Sequence, residues 1–451
     1  MGFGKDFLWG VATSSYQIEG GAYADGKGLS VWDAFCREPE KVFGGHTGDV
    51  ACDHYHLFRE DIRLMASLQV KAYRFSVNWP RVLPQGTGTV NEKGIAFYDA
   101  LIDCLLENGI DPLVTLFHWE YPEALQEKGA WLNPDSPKWF ADYARLLADR
   151  FGDRVKNYLT LNEPQCFIGL GYGLGAHAPG LKLPLKSTIR MSHRVMLAHG
   201  LAVAALRDAV KDCRVGYAPC SAPAYPVRAS PADIEAARQA YFAVNPDPNR
   251  WYFGTSWWSD PVMLGSYPEE GLKLYGQYLP EGFEKDLPAM HQRLDWYGHN
   301  IYNGVPVRAG ENGPEEAKHP EGMPKTAMDW PITPECMYWG PKFLFERYHT
   351  PILITENGMA GLDAISLDGA VHDPNRIDYL HRYLKEYRRA AETGIPLAGY
   401  FQWSFMDNFE WAKGYNDRFG LVYVDYATQR RIPKDSAYWY KQVIELGGEN
   451  L

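Results

Sequence analysis

The chain has 451 residues, of which 46% are hydrophobic and 22% are charged. This balance is typical of a globular protein and excludes intrinsic disorder or a coiled coil as the main state. With 45 basic and 56 acidic residues the formal net charge is −11, which argues against duplex DNA or an anionic membrane as partner. The length fits two or three ordinary domains or one large α/β barrel.

Aromatic residues make up 14% of the chain. They could form a large core, or they could offer flat faces on which sugar rings or bases stack. Because the acidic charge disfavours nucleic acids, sugars are the better candidate ligand. The seven cysteines are scattered without a Cys-x-x-Cys pair, so we expect neither a disulfide framework nor a zinc ribbon. With no signal-peptide pattern and no long apolar stretch, we expect a soluble cytoplasmic protein.

Short apolar segments recur along the chain, and a longer helical pattern follows most of them. Such near-continuous runs are typical of strands buried on both faces of a parallel sheet. The predicted strands are residues 7–13, 70–77, 110–117, 155–161, 214–220, 294–302, 351–355 and 397–405. Amphipathic patterns predict helices at 61–68, 96–109, 139–152 and 377–394. Three of these helices end at Gly109, Gly152 and Gly394, where left-handed C-terminal caps are expected.

This alternation predicts an α/β fold: one (β/α)8 (TIM) barrel, a single catalytic domain over residues 1–451. Residues 14–60, 221–293 and 303–341 would be long loops on its rim. A doubly wound open sheet is the alternative, but no Gly-x-Gly-x-x-Gly follows the first strand, and this removes most of its support.

Polar and aromatic residues follow or end most of the predicted strands. Because catalytic groups of a barrel lie at the carboxyl ends of its strands, these residues are candidates for the functional site. They are Gln17, Arg74, His118, Trp119, Asn162, Glu163, Asn300, Tyr302, Glu356, Trp403, Glu410 and Trp411.

Two of the candidates, Glu163 and Glu356, are carboxylates that come directly after apolar strands. Two carboxylates across one pocket are what hydrolysis of a glycosidic bond needs, one protonated and one ionised. Pro164 should bias Glu163 towards extended backbone, and Arg74 beside Glu356 would keep that carboxylate ionised. A structural ion pair is the competing interpretation of either glutamate alone.

Several other motifs have a simpler explanation. A second Glu-Asn-Gly, residues 311–313, does not follow a closed apolar strand and is expected to be a surface turn. His54 and His56 resemble a metal pair, but no third ligand stands out, and packing at a helix start is favoured. Cys166 is expected to be a buried or rim-lining thiol rather than a nucleophile. Asp407 and Asn408 are expected to order the loop that presents Glu410.

Eight sequence blocks, spread over nearly the whole chain, occur in the same order as in a known family. They are FLWGVATSSYQIEG, YRFSVNWPRV, TLFHWE, TLNEP, HAPG, NIY, ITENG and WSFMDNFEWAKGYNDRFGLVYVDY. Together they resemble glycoside hydrolase family 1, the retaining β-glycosidases. The resemblance implies a (β/α)8 barrel that uses no cofactor and no catalytic metal. The block FHWEYPEAL departs from the family's usual Asp and Leu at Glu120 and Tyr121, a change expected to alter the rim.

The resemblance also implies a role for each candidate. Glu163 matches the general acid/base and Glu356 the nucleophile. Arg74 and Tyr302 match groups that hold and tune the nucleophile, and Asn300 matches a residue near the acid/base. Trp330 matches an aromatic wall on the aglycone side, which Cys166, Phe167 and Tyr172 would also border. The substrate-binding residues implied on the sugar side are Gln17, His118, Trp119, Asn162, Trp403, Glu410 and Trp411.

The expected reaction is double displacement with net retention, for which the two carboxyls stand roughly 5–5.5 Å apart. Glu410 would accept hydrogen bonds from the sugar 4- and 6-hydroxyls and repel a 6-phosphate. The expected substrates are therefore small molecules with a terminal non-reducing β-D-glucosyl residue, either cello-oligosaccharides or aryl and alkyl β-glucosides. A broad β-galactosidase or β-fucosidase, a transglycosylase and a non-catalytic sugar-binding protein stay open as alternatives. The sequence leaves the oligomeric state undetermined.

Overall fold

The predicted apolar strands assemble into one parallel sheet. A computed structural model of the protein describes residues 3–451. Within that range the sheet has eight strands, each overlapping one predicted strand with ends that differ by up to three residues. In chain order, all strands are β1 (Leu8–Ala12), β2 (Ala72–Ser76), β3 (Asp111–Phe117), β4 (Asn157–Asn162), β5 (Arg214–Ala218), β6 (Ala224–Pro226), β7 (Tyr297–Asn300), β8 (Val305–Gly310), β9 (Gly313–Glu316), β10 (Ile352–Asn357), β11 (Leu397–Trp403), β12 (Val422–Asp425) and β13 (Arg430–Pro433).

The sheet curves into a barrel with the strand order β5-β4-β3-β2-β1-β11-β10-β7, and every neighbouring pair is parallel. Backbone bonds also join its two end strands: Asp295 N–H donates to the Val215 carbonyl at 2.9 Å, and Asn300 N–H donates to that of Pro219 at 3.1 Å. These bonds nearly close the ring. The predicted (β/α)8 barrel is therefore confirmed.

Helices connect the barrel strands. None of the described helices combines the length and apolar composition that a membrane span requires. The α-helices are α1 (Ser15–Ile18), α2 (Val31–Phe35), α3 (His54–Ser67), α4 (Trp79–Val82), α5 (Glu92–Glu107), α6 (Glu123–Gln126), α7 (Ser136–Phe151), α8 (Pro164–Ile168), α9 (Leu185–Ala209), α10 (Pro231–Phe242), α11 (Thr255–Met263), α12 (Glu269–Tyr275), α13 (Leu287–Met290), α14 (Cys336–Tyr348), α15 (Pro374–Glu392) and α16 (Asp435–Glu445).

The four predicted helices all exist, and two of their three glycine caps are confirmed. Gly109 after α5 and Gly394 after α15 have φ of 69° and 87°, the left-handed conformation of a C-terminal cap. The cap predicted at Gly152 is wrong, because its φ is −69°. A Cβ at Gly152 would lie 2.4 Å from the Ala148 carbonyl oxygen, so glycine here permits close packing rather than a left-handed turn.

The segments expected to be rim loops carry secondary structure of their own. Residues 14–60 include α1 and α2, residues 221–293 include β6 and α10 to α13, and residues 303–341 include the β8–β9 hairpin. The description of them as loops was therefore incomplete. Long segments packed on a barrel must hydrogen-bond their own backbone groups, which short helices and hairpins achieve.

Large aromatic side chains fill the barrel interior where neighbouring strands carry small residues. A Cβ at Gly10 of β1 would lie 2.4 Å from the Phe401 ring, and one at Gly216 of β5 would lie 2.3 Å from the Trp296 ring. Small residues on one strand thus admit a ring from another, the layered packing of such barrels. The filled interior forms a floor beneath the carboxyl ends of the strands.

A buried ionic network fixes the loop after β11. The Lys434 ammonium donates to Asp407 at 2.7 Å and also pairs with Asp363, while Arg418 donates to Asp407 at 2.6 Å. The side chains of Lys434 and Asp407 are fully buried, and that of Asp363 is 7% exposed. The network anchors the segment just before Glu410, as expected for Asp407.

Replacing Lys434 with Met should destabilise the fold strongly. Removing one partner of a buried ionic group leaves uncompensated charge, which costs about 3–5 kcal/mol. Lys441→Met is the matched control, since its 4.0 Å pair with Glu445 is exposed and is worth at most about 1 kcal/mol. Denaturant unfolding followed by tryptophan fluorescence measures both, and equal losses would contradict the role given to Lys434.

Candidate active site

A cavity of about 430 Å³ opens at the carboxyl ends of the barrel strands. Ten of the predicted site residues line it: His118, Trp119, Glu163, Asn300, Tyr302, Trp330, Glu356, Trp403, Glu410 and Trp411. Gln17, Arg74 and Asn162 are fully buried and lie behind this wall, where they hold the lining residues.

Arg74 sits beneath the cavity and binds groups from three other strands. Its Nη1 donates to Glu356 Oε1 at 2.6 Å, its Nη2 donates to Asn162 Oδ1 at 2.6 Å, and its Nε donates to Thr115 Oγ1 at 3.0 Å. The hydroxyl of Tyr302 donates to the other oxygen of Glu356, Oε2, at 2.6 Å. Glu356 is therefore held by a cation on one side and a hydroxyl on the other.

Two asparagines connect this ion pair to Glu163. Asn300 Nδ2 donates to Glu163 Oε1 at 2.7 Å and to Asn162 Oδ1 at 3.0 Å. Asn162 Nδ2 donates a hydrogen bond to His118 Nε2 at 3.0 Å. Burial and the nearby Arg74 charge lower the pKa of His118 well below its usual value, so the ring is neutral. Its Nδ1 has no partner among residues 3–451 and can donate to a ligand hydroxyl.

The two carboxyl groups lie in different electrostatic environments. Burial, followed by the charge of Glu356, raises the pKa of Glu163 to about 8. Burial also raises the pKa of Glu356, but Arg74 and Tyr302 oppose it. The two carboxyls therefore titrate as a pair, and Arg74 and Tyr302 favour the state in which Glu356 is the ionised member. Arg74 lowers the pKa of Glu356, as expected, but burial raises this pKa by more.

The backbone of Glu163 differs from the expected extended conformation. Its φ and ψ are 46° and 65°, in the left-handed region, a strained state for a residue with a side chain that costs about 1–3 kcal/mol. The prediction from Pro164 was wrong because the chain must turn sharply from β4 into α8 at this residue. The Glu163 N–H still bonds the Ala218 carbonyl of β5 at 2.8 Å, which aims the side chain into the cavity.

One side of the cavity combines a carboxyl with stacked aromatic rings. Glu410 has Gln17 behind it, with Nε2 at 3.5 Å from Oε2, and burial raises the pKa of Glu410 to about 8. The His118 ring lies nearly parallel to those of Trp403 and Trp411, with centroids 5.6 and 5.9 Å apart. This wall offers hydrogen-bonding groups and flat apolar faces together.

The opposite, outer side is more apolar. Trp330 is half-buried and packs on Tyr302 and Phe419, with centroids 5.2 and 6.1 Å away. Phe167 and Tyr172, expected to border this region, do not line the cavity. Phe167 is buried, and its ring packs on those of Phe117 and Trp131.

Sequence reasoning overlooked several lining residues, among them His177, Cys220, Phe253, Met328, Lys413 and Phe419. Most come from rim segments, whose packing no strand-end pattern reveals. Glu120 was expected on the rim but is fully buried, where it accepts bonds from the backbone N–H groups of Tyr16 and His118. Glu120 stands where the family usually has Asp, and its additional methylene group is accommodated beneath the site.

The remaining motifs have structural roles. His54 is buried at the start of α3 and bonds Asp61 at 2.8 Å, whereas His56 is exposed. Residues 311–313 form the exposed tip of the β8–β9 hairpin. The expected helix-start packing is confirmed for His54 but not for the exposed His56, and the expected surface turn is confirmed.

Known proteins resemble this chain along almost its entire length. It is 47% identical to "Beta-glucosidase A" of Thermotoga maritima over 99% of this chain and 98% of that protein. It is 46% identical to "1,4-beta-D-glucan glucohydrolase" of Thermotoga neapolitana over 99% of each. The solved structure of a Thermotoga maritima beta-glucosidase in complex with glucoimidazole superposes with a TM-score of 0.91, covers 99% of both chains and is 46% identical.

The family described as "Glycosyl hydrolase family 1" matches residues 1–449. The match and the relatives agree with a barrel that gathers two carboxyls in one cavity. The chain therefore belongs to glycosyl hydrolase family 1, a family of retaining glycosidases.

Proposed function

We propose that this enzyme removes terminal β-D-glucosyl residues from aryl or alkyl β-glucosides and from cello-oligosaccharides. One observation carries the proposal: Glu163 and Glu356 share a buried cavity but have opposite partners, an amide for Glu163 and a guanidinium for Glu356. The names of the relatives, one a beta-glucosidase and one a glucan glucohydrolase, support the glucosyl preference.

In the proposed reaction Glu356 attacks the anomeric carbon while Glu163 donates its proton to the departing oxygen. The raised pKa of Glu163 suits a group that must carry a proton near neutrality. Once the aglycone leaves and Glu356 is esterified, its charge no longer raises the pKa of Glu163. Glu163 can then act as the base that deprotonates water, so the sugar is released with net retention.

The proposed sugar subsite is the wall formed by Gln17, His118, Trp403, Glu410 and Trp411. The free Nδ1 of His118 and the carboxyl of Glu410 would bond sugar hydroxyls, and Trp403 would stack on the ring face. Trp119 would complete this wall, since its indole N–H is already bonded to the Asn162 carbonyl at 3.0 Å. Trp330 would contact the aglycone on the outer side.

Galactosides and fucosides remain further candidate substrates, and sugars remain candidate acceptors in place of water. We propose that residues 1–451 act as one catalytic domain and that catalysis uses no cofactor. Seven unpaired thiols across the described residues support a reducing compartment such as the cytoplasm. The proposed partners are small glycosides rather than nucleic acids or membranes.

The substrate class is tested with a nitrophenyl β-D-glucoside, its galactoside and its 6-phosphate, compared by kcat/KM. We expect the glucoside to be turned over best. Glu410 offers a phosphate no cationic partner, and burying an anion without one is costly, so the 6-phosphate should react at least about 100-fold more slowly. Preferred turnover of the phosphate would overturn the role of Glu410 and point to Lys413, which also lines the cavity.

The two glutamates are distinguished by rescue of alanine variants with azide. In Glu356→Ala, azide can enter from the nucleophile's side and should give the α-glucosyl azide. In Glu163→Ala it should attack the glycosyl-enzyme and give the β-glucosyl azide, while glucosides with poor leaving groups lose about 10²–10⁴-fold in rate. Glu311→Ala, in the exposed copy of the same tripeptide, is the control with unchanged activity. If Glu356→Ala gave the β-glucosyl azide and Glu163→Ala the α-glucosyl azide, the roles of nucleophile and acid/base would be reversed.

Tyr302→Phe should shift the acidic limb of the pH profile. The hydroxyl bond lowers the pKa of Glu356, and activity is lost as pH falls through that pKa. Without the bond the pKa rises, so the acidic limb moves to higher pH. A hydrogen bond to a charged group is worth about 1.5–3 kcal/mol, and kcat/KM should fall accordingly. Tyr158→Phe, which removes a buried hydroxyl without a partner in residues 3–451, should leave the profile unchanged; equal profiles for both variants would contradict this prediction.

A further inference from the structure

Two thiols lie beside Glu163 and are not used by the proposed reaction. Cys166 is in α8, one turn after Glu163, and Cys220 follows β5. Their sulfur atoms are 3.6 Å apart. One carboxylate oxygen of Glu163 and the two sulfurs lie within 4.8 Å of one another. All three residues line the cavity, so a solute that enters the cavity can reach them.

The spacing of these three atoms fits a metal better than a disulfide. A tetrahedral zinc ion with bonds of about 2.3 Å to sulfur holds two thiolates roughly 3.8 Å apart. The observed sulfur separation of 3.6 Å is close to this and far longer than the roughly 2.05 Å of a disulfide. The donor set of two sulfurs and one carboxylate suits soft or borderline cations rather than Mg²⁺ or Ca²⁺.

We propose that Glu163, Cys166 and Cys220 form an inhibitory binding site for a soft or borderline divalent cation such as Zn²⁺ or Cd²⁺. Three protein ligands leave a fourth position for water on the cavity side. A bound cation would occupy the carboxyl that is proposed to move the proton, so the enzyme would be switched off until the metal is withdrawn. The binding site is independent of the proposed function, whereas the inhibition rests on it.

The site lies where the cavity supplies several carboxyl groups. After burial, the charge of Glu356 raises the pKa of Glu163, and burial followed by nearby carboxylates raises the pKa of Glu410, so a divalent cation would be attracted to this group of carboxyls. Asn300 holds Glu163 Oε1 at 2.7 Å and orients the carboxyl beside the sulfurs. The three ligands lie in the segments that follow two adjacent barrel strands, β4 and β5, whose pairing holds these segments side by side.

The binding test uses the full-length enzyme with a phosphine reductant and a titration with Cd²⁺. Thiolate binding to Cd²⁺ gives an ultraviolet charge-transfer band, which exposed imidazoles such as His372 do not produce. We expect the band to saturate at one equivalent. Loss of a residue that only hydrogen-bonds a metal ligand typically costs about 10-fold to 100-fold in metal affinity. Cys220→Ser removes a ligand itself and should lower the Cd²⁺ affinity at least as much. Cys166→Ser is a second variant with the same expected effect. Cys213→Ser, at the far end of β5, is the matched control with an unchanged band.

The inhibition test adds Zn²⁺ to enzyme hydrolysing an aryl β-glucoside, with Mg²⁺ in parallel. We expect Zn²⁺ to inhibit, EDTA to restore activity, Mg²⁺ to have no effect, and Cys220→Ser to need at least tenfold more Zn²⁺. A missing band, or one that Cys220→Ser and Cys166→Ser leave unchanged, would overturn the site. A normal band with undiminished activity would overturn the inhibition and count against Glu163 as acid/base, while leaving the metal ligands in place.

Discussion

The buried ion pair between Arg74 and Glu356 is the constraint around which the site is built. Both side chains are withdrawn from water, with exposures of 0% and 4%, so each needs the other to offset a large desolvation cost. The guanidinium also bonds Thr115 and Asn162. One cation thereby fixes the relative positions of β2, β3, β4 and β10, and the carboxyl ends of these strands cannot shift without breaking it.

The same ion pair explains why two chemically identical side chains behave differently. Arg74 and Tyr302 contact Glu356, whereas Glu163 receives an amide N–H from Asn300 and the charge of Glu356 raises its pKa. Both carboxyls are buried, so the difference between them comes from their unlike partners, of which Arg74 and Tyr302 lie on the side of Glu356. A barrel achieves this because its strand ends can present unlike partners to opposite sides of one cavity.

The sequence predicted those parts of the molecule that depend on strands. Apolar runs mark strands buried on both faces, and parallel strands bring their carboxyl ends together, so residues as distant as Arg74 and Glu356 could be placed at one end of the barrel. The left-handed backbone at Glu163, the depth of Glu120 and the lining role of Cys220 could not be predicted. Each of these features depends on contacts between distant segments, and the residue pattern within one segment does not reveal such contacts.

Burial raises the pKa of Glu163, as an acid/base requires, and the same buried carboxyl can bind a cation in place of the proton. A carboxyl that keeps its proton near neutrality must be poorly solvated and close to another negative charge, and such a place also attracts a cation that brings its own charge. Cys166 follows Glu163 by one helical turn, and Cys220 lies just after the neighbouring strand β5, so the geometry that positions the proton donor also positions two sulfurs beside it. Asn300 opposes metal binding. A cation that binds Glu163 Oε1 must either share this oxygen with the Asn300 N–H group or displace that group.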